Sequence, residues 1–347
     1  MQAAVLEEFG ADLALRQRAV PEPGPDEVLV RVRAAGVCAT DLEIQDGRID
    51  TVRCPHVPGH ETAGEIAALG AGVGGRGVAG SGLDVGDAVV VGLDVTCGRC
   101  RACQAGRTNL CTALVRLGFE ADGGLEEYLV APARNVVRFD PGRLPFEQAA
   151  IIPDAVACMY RAIVTVGQVR AGDRVCLLGI GGLGFQGLQL AKLCGAQVLC
   201  TSRHATKLAQ ARALGADHTV DTSRQDLLGA VHDATGGELC DVVVDNIGSR
   251  SSVQTAIDIC RPGGCVVLVG HVAESFEASF RPMTSLEKRI VGVRGSTRRD
   301  LEETVRLAQR GAITPFVSDV YHLPQANQAL ADLRAGKPSG RIVVRVP

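Results

Sequence analysis

The stretch from residue 175 to residue 203 constrains the fold of this chain more than any other. An apolar run of strand length (175–178) leads into Gly-Ile-Gly-Gly-Leu-Gly, then into apolar residues at helical spacing and a second strand at 198–200. Strand, tight turn, helix and strand form the context in which G-x-G-x-x-G indicates a dinucleotide site. Glycine lets the backbone approach the pyrophosphate, and the helix N-terminus offers free N–H groups. We therefore predict that the cofactor is bound by Gly179, Gly181, Gly182, Leu183 and Gly184.

The end of the second strand carries information about which dinucleotide is bound. Thr201-Ser202-Arg203-His204 stands where a site for NAD usually has an acidic residue on the ribose 2′-OH. A carboxylate would repel a 2′-phosphate, whereas a hydroxyl followed by Arg can bind one. Ser202 and Arg203, helped by Lys207, therefore predict a preference for NADP(H) over NAD(H). The alternative is that Arg203 is only a solvated surface charge.

Composition excludes several other classes of protein. A chain of 347 residues with 46% apolar residues is long enough for two domains with large cores. It has 3% aromatic residues, no Trp and a net charge of −3, so we expect no nucleic-acid partner. The start of the sequence lacks the pattern of a signal peptide, and the strand–turn–helix pattern explains the longest uncharged run. We expect no membrane segment and a cytoplasmic location.

Four of the 13 cysteines differ from the rest in their spacing. The others are scattered, mostly in apolar surroundings, and such residues are by default small buried hydrophobes. Cys97, Cys100, Cys103 and Cys111 place four thiols within 15 residues. This spacing predicts a closed tetrahedral zinc site with a structural role. An iron–sulfur cluster is the competing interpretation, since thiolates bind both.

A second group of residues could bind a metal, but it is spread along the chain. Cys38 follows a strand predicted at 28–32, and His60 lies just after Pro58. A single Cys and a single His indicate little without a third ligand, because a catalytic zinc ion needs three protein ligands and an open position. Asp154 lies within an apolar run, where an unpaired carboxylate would be costly. It therefore needs a partner, such as a metal ion.

These motifs together resemble the medium-chain alcohol dehydrogenases. Gly59-His60-Glu61-x-x-Gly64-x₅-Gly70-x-x-Val73 resembles the zinc signature of that family, and residues 36–41 resemble the segment that supplies its first zinc ligand. The four-cysteine segment resembles its structural zinc loop. Residues 242–245 and 261–270 resemble later strands of its cofactor domain, and 340–344 its C-terminal strand. The resemblance covers essentially the whole chain in order.

The resemblance implies an α/β fold with two domains. A GroES-like, β-rich catalytic domain would cover residues 1–153, with the structural zinc lobe at 94–112. A Rossmann domain with a doubly wound parallel sheet would cover 154–289 and bind NADP. Residues 290–347 would return to the catalytic domain. A Gly-rich hairpin at 73–83 is interpreted as a surface loop, the alternative being a substrate lid.

The resemblance also implies a set of residues around a catalytic zinc ion. Cys38, His60 and Asp154 match the three ligands, although many members have Cys at the position of Asp154. Glu61 matches a carboxylate that lies close to the metal. Asp41 matches the group that orients the ligating His, as metal sites require.

Further roles concern the proton and the cofactor. Thr40 matches the hydroxyl that passes the substrate proton towards the cofactor ribose, Val269 lies near the nicotinamide by resemblance, and Arg341 matches a residue that contacts the cofactor phosphates. The family often has His at the position of Glu43. The proton must therefore leave through Glu43, Gln45 or water.

The function implied is that of a zinc-dependent oxidoreductase. It would interconvert a small alcohol and its aldehyde or ketone by hydride transfer with NADP(H), using one catalytic and one structural Zn²⁺ per chain. A homodimer or homotetramer is the assembly that the resemblance implies. A polyol or sugar-alcohol dehydrogenase is the alternative among enzymes. A non-catalytic NADPH-binding sensor is the alternative in another class, because fold does not fix function.

Overall fold

The computed structural model describes residues 1–74, 82–272 and 274–347. They fall into two units: Met1–Ala157 with Ser296–Pro347, and Cys158–Gly295. Most of the Gly-rich hairpin predicted at 73–83 lies outside the described residues. In the part of the chain that is described, no helix has the length and apolar character needed to cross a membrane.

The first 160 residues are mainly strands with short helices. The strands are β1 (Gln2–Val5), β2 (Ala14–Gln17), β3 (Glu27–Val37), β4 (Glu61–Leu69), β5 (Ala88–Val91), β6 (Asp94–Val95), β7 (Val115–Arg116), β8 (Tyr128–Pro132) and β9 (Val136–Arg138). The helices are α1 (Ala39–Gln45), α2 (Arg101–Gln104), α3 (Phe146–Ala150) and α4 (Ala157–Tyr160). A π-helical turn, Ile152–Val156, lies between the last two helices.

Strands and helices then alternate through the second unit. A π-helical segment, Arg161–Val166, precedes β10 (Arg174–Leu178), α5 (Gly184–Leu193), β11 (Gln197–Ser202), α6 (Ala205–Ala213), β12 (His218–Asp221), α7 (Leu227–Thr235), β13 (Cys240–Asp245), α8 (Arg250–Ile259), β14 (Cys260–Leu268), α9 (Phe280–Thr284) and β15 (Arg289–Gly292). The chain returns to the first unit with α10 (Arg298–Gln309), β16 (Val317–His322), α11 (Ala326–Arg334) and β17 (Arg341–Arg345).

The largest sheet of the first unit is built around the long strand β3. Its order is β16-β17-β3-β4-β5-β9, and β8 also pairs with β3. The β16–β17 pair is parallel, whereas the other pairs are antiparallel. Val28, Val30 and Val32 of β3 are fully buried, and the arginines that follow Val30 and Val32 are only half-buried. This period of two points one face of the strand into the core.

Three neighbouring strands, β17, β3 and β4, have ends on the same side of this sheet. Gly36 pairs with Glu61 at the start of β4, and Val37 pairs with Ile342 near the start of β17. The π-helical turn Ile152–Val156 packs against β4 and β5. Residues that flank these strand ends are therefore brought together although they are far apart in sequence.

The second unit contains a fully parallel sheet of order β12-β11-β10-β13-β14-β15. Helices connect successive strands, as parallel pairing requires. The order reverses between β10 and β13, and such switch points are where doubly wound sheets bind ligands. Residues 175–178 of β10 are almost completely buried, which explains why this strand is uniformly apolar. The predicted α/β class with a doubly wound parallel sheet is confirmed.

Candidate functional site

Three side chains of the first unit meet beside the strand ends described above. Cys38 Sγ lies 3.2 Å from His60 Nε2, and Asp154 Oδ2 lies 3.7 Å from the same nitrogen. Each residue offers one ligand atom, and the three atoms lie within 4.8 Å of one another. Cys38 and His60 are buried, whereas the Asp154 side chain is 23% exposed. One sulfur, one nitrogen and one oxygen at this spacing match a zinc site that leaves a fourth position open.

The sequence places Cys38 through a helix cap. Cys38 follows β3 and is the N-cap of α1, with an extended backbone. Its Sγ accepts a hydrogen bond from the backbone N–H of Thr40 at 3.3 Å, and the carboxylate of Asp41 accepts one from the backbone N–H of Cys38 at 2.8 Å. These two bonds satisfy donors that a helix start leaves free. They also hold the thiol at the start of the helix.

Asp41 also lies beside the ring of His60. Its Oδ1 is 3.3 Å from His60 Nδ1, although the two groups are not aligned as in a good hydrogen bond. A carboxylate beside Nδ1 favours the tautomer that carries its proton there and leaves Nε2 free to bind a metal. The structure thus gives Asp41 the position expected of a residue that orients the ligating imidazole.

The charges in this cluster favour a cation at its centre. Burial alone would lower the pKa of His60, but Cys38 and Asp41 outweigh it and raise that pKa well above its ordinary value. Burial raises the pKa of Asp154, but His60 and Arg341 bring it down to about 2. The group therefore stabilises positive charge at Nε2 and keeps the carboxylate ionised. A divalent cation satisfies the same requirement without a proton, so the residues present fit zinc.

Behind the cluster, Arg341 joins two carboxylates. Its Nε donates to Glu61 at 2.9 and 3.1 Å, its Nη2 also donates to Glu61, and Nη2 donates to Asp154 at 2.8 Å. Glu61 is fully buried and accepts a further bond from the N–H of Ala155 at 3.0 Å. Burial raises the pKa of Glu61 to about 7 although Arg341 lowers it. A Cβ on Gly36 would overlap the Glu61 carboxylate, so glycine is required there.

These contacts revise the interpretation of Arg341. The sequence predicts that it contacts the cofactor phosphates, but Arg341 is only 6% exposed and its guanidinium pairs with Glu61 and Asp154. We therefore assign Arg341 first to this carboxylate network. Contact with phosphate stays a prediction. Glu61 lies next to the cluster, but in this structure its carboxylate is paired with Arg341 and is not one of the three convergent ligand atoms.

The structure also distinguishes the residues proposed to carry the proton away. Gln45 is 9% exposed; its Nε2 donates to the carbonyl of Ala11 at 3.0 Å, and its Oε1 accepts from Arg334 at 3.1 Å. Its amide is therefore committed elsewhere. Thr40 and Glu43 are both half-buried and stand three residues apart on α1, a spacing that puts them on one face of a helix. Glu43 or water therefore stays the predicted exit for the proton.

The four-cysteine segment forms a second cluster in the same unit. The sulfurs of Cys97, Cys100, Cys103 and Cys111 lie within 4.8 Å of one another. Backbone hydrogen bonds from Cys103 and Thr112 lower the pKa of Cys100 to about 5. Such bonds favour the thiolate, which is the form that binds a metal. Four thiolates at this distance fit one tetrahedral ion.

The glycine loop of the second unit has the predicted geometry of a turn between strand and helix. Gly179 has a φ of +81°, and its N–H donates to Thr201 Oγ1 at 3.0 Å, which ties the loop to the end of β11. Gly181, Gly182 and Leu183 follow, and α5 begins at Gly184. A side chain on Gly184 would meet the carbonyl of Gly179, so the close turn needs glycine at both ends.

Next to this loop is a cavity of about 660 Å³ at the carboxyl ends of β10, β11 and β13. Ser202, Arg203 and Lys207 all line it. Ser202 is 9% exposed and accepts a hydrogen bond from the N–H of His204 at 3.1 Å, whereas Arg203 is exposed. Burial lowers the pKa of Lys207. The three residues named from the sequence for a 2′-phosphate therefore line one cavity.

Several polar residues of this cavity are absent from the sequence predictions. They follow the carboxyl ends of other strands, and they are Thr222, Gln225, Asp226, Ser249, Ser251, Ser252 and Thr255. Their signal in the sequence is only that each stands within about ten residues after a strand of a parallel sheet. Val269 does not line this cavity. It directly follows β14 and donates its N–H to the carbonyl of Asp245 at 2.9 Å.

Comparison with known proteins gives consistent matches along the chain. Residues 24–141 match the family model described as the alcohol dehydrogenase GroES-like domain, and residues 182–310 match the one described as zinc-binding dehydrogenase. An alcohol dehydrogenase of Geobacillus stearothermophilus is 34% identical, and the similarity covers 100% of both chains. The crystal structure of an NAD-dependent alcohol dehydrogenase is 32% identical, covers 100% of both chains and has a TM-score of 0.92. A zinc-binding dehydrogenase from Sinorhizobium meliloti, solved bound to NADP, is 29% identical, covers 99% of this chain and 98% of its own, and has a TM-score of 0.89.

Proposed function

This chain belongs to the zinc-dependent medium-chain dehydrogenase family, and on that premise we propose that it interconverts an alcohol and its aldehyde or ketone with NADP(H). The observation that carries the proposal is the convergence of Cys38, His60 and Asp154 within 4.8 Å. These are the ligands that we propose for a catalytic zinc ion. We propose a second, structural zinc ion on the four cysteines of the lobe.

The roles of the residues follow from their contacts. A zinc ion bound by Cys38, His60 and Asp154 supplies a Lewis acid for the substrate oxygen. Asp41 orients His60 through the 3.3 Å contact at Nδ1. Thr40, two residues after the thiol, accepts the proton of the substrate hydroxyl and passes it on. Arg341 orients Asp154 through the 2.8 Å ion pair. NADP(H) would supply the hydride chemistry through its nicotinamide ring, and the glycine loop of the second unit would bind the pyrophosphate of the cofactor.

The preference for NADP(H) is supported by the charges at the end of β11. Ser202 offers a hydroxyl and Arg203 a guanidinium to the cavity where an acidic residue would bind a 2′-OH. Lys207 lies in the first turn of α6 and adds a second cation. Asp226 also lines the cavity, but its carboxylate accepts the N–H of Gly229 at 2.8 Å as the cap of α7. The cavity therefore offers a 2′-phosphate two cations and a hydroxyl.

The cofactor assignment predicts a measurable change in specificity. Changing Ser202→Asp together with Arg203→Ile introduces a repulsive charge and removes a cation, so the ratio of kcat/KM for NADPH to that for NADH should fall by about 100-fold or more. Steady-state kinetics with both cofactors measures this ratio. Arg212→Ile is the matched control, since Arg212 is an exposed arginine of α6 that does not line the cavity. An unchanged ratio in the double variant would refute the assignment of Ser202 and Arg203.

The reaction itself is tested by a substrate screen with metal analysis. The purified chain is assayed for oxidation of a panel of primary, secondary and polyhydric alcohols and for reduction of the matching carbonyls, with both cofactors, and its zinc content is measured. We expect turnover that chelation abolishes and added zinc restores. Tight NADPH binding with no turnover of any compound would instead indicate a non-catalytic cofactor-binding protein.

A further inference from the structure

Phe119 packs against the ring of His60, and the roles described above do not use it. The two ring centroids are 5.2 Å apart with an angle of 51° between the ring planes, and Phe119 is 6% exposed. We propose that Phe119 is a positioning residue which, held in turn by Arg116, fixes the orientation of the His60 imidazole for metal binding. The inference rests on the proposed function because it takes His60 as a ligand.

The ring of His60 needs a restraint besides Asp41. The torsion that turns an imidazole about its own axis is broad, because no staggered minimum fixes it. Contact at Nδ1 restrains one edge of the ring but leaves it free to turn about the line from Asp41 to His60. A bulky side chain against the ring blocks that turn. Phe119 occupies this position, so the lone pair of Nε2 is kept pointing between Cys38 and Asp154.

Phe119 is itself fixed by a cation on its ring. The guanidinium carbon of Arg116 lies 3.9 Å from the Phe119 centroid, a distance at which cation–π attraction is effective. This contact limits the movement of the aromatic ring away from His60. A leucine at this position would retain apolar volume but would lose both the flat surface against the imidazole and the attraction to Arg116.

Arg116 is anchored at several points. Its Nε lies 3.0 and 3.2 Å from the carboxylate oxygens of Glu120, its Nη2 also donates to Glu120, and its backbone N–H donates to Glu120 at 2.8 Å. Thr51 donates to the same carboxylate at 2.6 Å and accepts from Arg116 at 3.0 Å. Burial raises the pKa of Glu120, but Arg116 and Thr51 bring it down to about 2, so the carboxylate stays charged at neutral pH.

The residue that holds Phe119 lies on a strand and not in an irregular loop. Arg116 belongs to β7, where it pairs with Asp94 of β6. These two strands flank the segment that contains the four cysteines. Contacts between side chains therefore run without a break from Arg116, at the base of the cysteine lobe, through Phe119 to the proposed ligand His60. A merely space-filling Phe119 would not require this anchoring.

The test measures metal affinity, which separates positioning from general stability. The full chain is loaded with Co²⁺ and titrated with a chelator, and the cobalt–thiolate absorption is recorded; Cys38→Ala identifies the signal of the three-residue site. Phe119→Leu should weaken Co²⁺ binding at that site by about 10–100-fold and alter its spectrum. Phe119→Tyr, which keeps the ring, should remain near the wild type. Arg116→Met should show a smaller loss of the same kind, and Co²⁺ bound by the four cysteines should be unchanged in all of them.

Phe139→Leu is the matched control. Phe139 is 7% exposed in the same unit and packs edge-on against Phe146 at 5.4 Å, so its replacement should lower thermal stability without changing Co²⁺ affinity or spectrum. Wild-type affinity and spectrum in Phe119→Leu would overturn the inference, as would an equal loss in Phe139→Leu. Those results would leave the proposed function intact. Absence from the wild type of any cobalt signal that Cys38→Ala removes would overturn both.

Discussion

The two candidate metal clusters of the first unit are built in opposite ways. The four cysteines come from 15 consecutive residues, closed at their base by the short ribbon of β6 and β7. Cys38, His60 and Asp154 come from a helix cap, a strand start and a π-helical turn that are up to 116 residues apart, from 38 to 154. One cluster is therefore local, whereas the other exists only once the large sheet has formed.

The two clusters need different support from the surrounding protein. In the lobe, backbone N–H groups lower the pKa of Cys100, whereas burial raises that of Cys103, and a bound ion would stabilise all four thiolates together. In the three-residue cluster, Asp41, Arg341 and Phe119 contact the proposed ligands from outside. A site with an open position needs such support, because its ligands cannot rely on a closed shell to orient them. Changes to the two clusters should have different consequences.

The largest expected effect is the loss of catalysis when a ligand of the distributed cluster is removed. Asp154→Ala should lower kcat/KM by about 1,000-fold or more, since both a ligand of the metal and one of the two carboxylates that pair with Arg341 are lost. Zinc content should fall by one ion per chain. Asp154→Cys, which restores a ligand, should recover the metal. Full activity in Asp154→Ala would contradict the proposed ligand set.

Removal of a cysteine from the lobe should act on stability instead. Cys103→Ser is expected to release the lobe metal and to lower the free energy of unfolding by several kcal/mol, because binding to a structural site contributes directly to folding. Thermal denaturation and metal analysis measure this. Turnover at low temperature should persist in the folded fraction. Cys194→Ser, a half-buried cysteine outside both clusters, serves as the control and should change little. Unchanged stability in Cys103→Ser would show that the lobe does not need an ion.

A smaller effect is expected at a buried carboxyl that has only a weak partner. Glu126 is 3% exposed; burial and Asp122 raise its pKa to about 8, although Arg18, at 3.3 Å, lowers it. Asp154, by contrast, has its pKa lowered by its neighbours. Because the folded state binds the Glu126 proton more tightly, its contribution to stability is complete below about pH 4.5 and is lost as the pH rises towards 8.

Glu126→Gln should therefore flatten the fall in stability between about pH 5 and pH 8, to which this one carboxyl can contribute up to about 1.4 kcal/mol per pH unit. Urea denaturation at a series of pH values measures the slope. Glu127→Gln, at the next position in the chain, is the control. An identical pH profile for wild type and Glu126→Gln would show that the carboxyl is ionised in the folded protein throughout.

Much of the fold follows from local patterns in the sequence. The buried run of β10, the glycine turn and the start of α5 are set by neighbouring residues, and they lie where the pattern predicts them. The strands expected at 28–32 and 198–200 lie within β3 and β11. The π-helical turn that places Asp154 has no sequence signal beyond Pro153 within an apolar run. Its position depends on packing against β4 and β5.

In the candidate site, too, some features follow from neighbouring residues and others depend on packing between distant parts of the chain. Spacing alone groups the four cysteines, but no spacing connects Asp154 with Arg341, since an ion pair between residues 187 positions apart depends on the pairing of β17 with β3. The contacts of Arg341 with Glu61 and of Phe119 with His60 also join residues that are distant in sequence, so no local pattern predicts them. The cavity residues Thr222 and Ser249 are a further example, because strand order decides which loops become neighbours.

The pairing of β17 with β3 has a consequence for synthesis on the ribosome. Val37 faces Ile342 across this pair, so a strand made early in translation waits for a partner made about 300 residues later. Until Arg341 has emerged, the buried carboxylates of Glu61 and Asp154 lack their cation. A nascent chain can form the cysteine lobe early from contiguous residues, whereas the distributed cluster has to mature after elongation has passed the second unit.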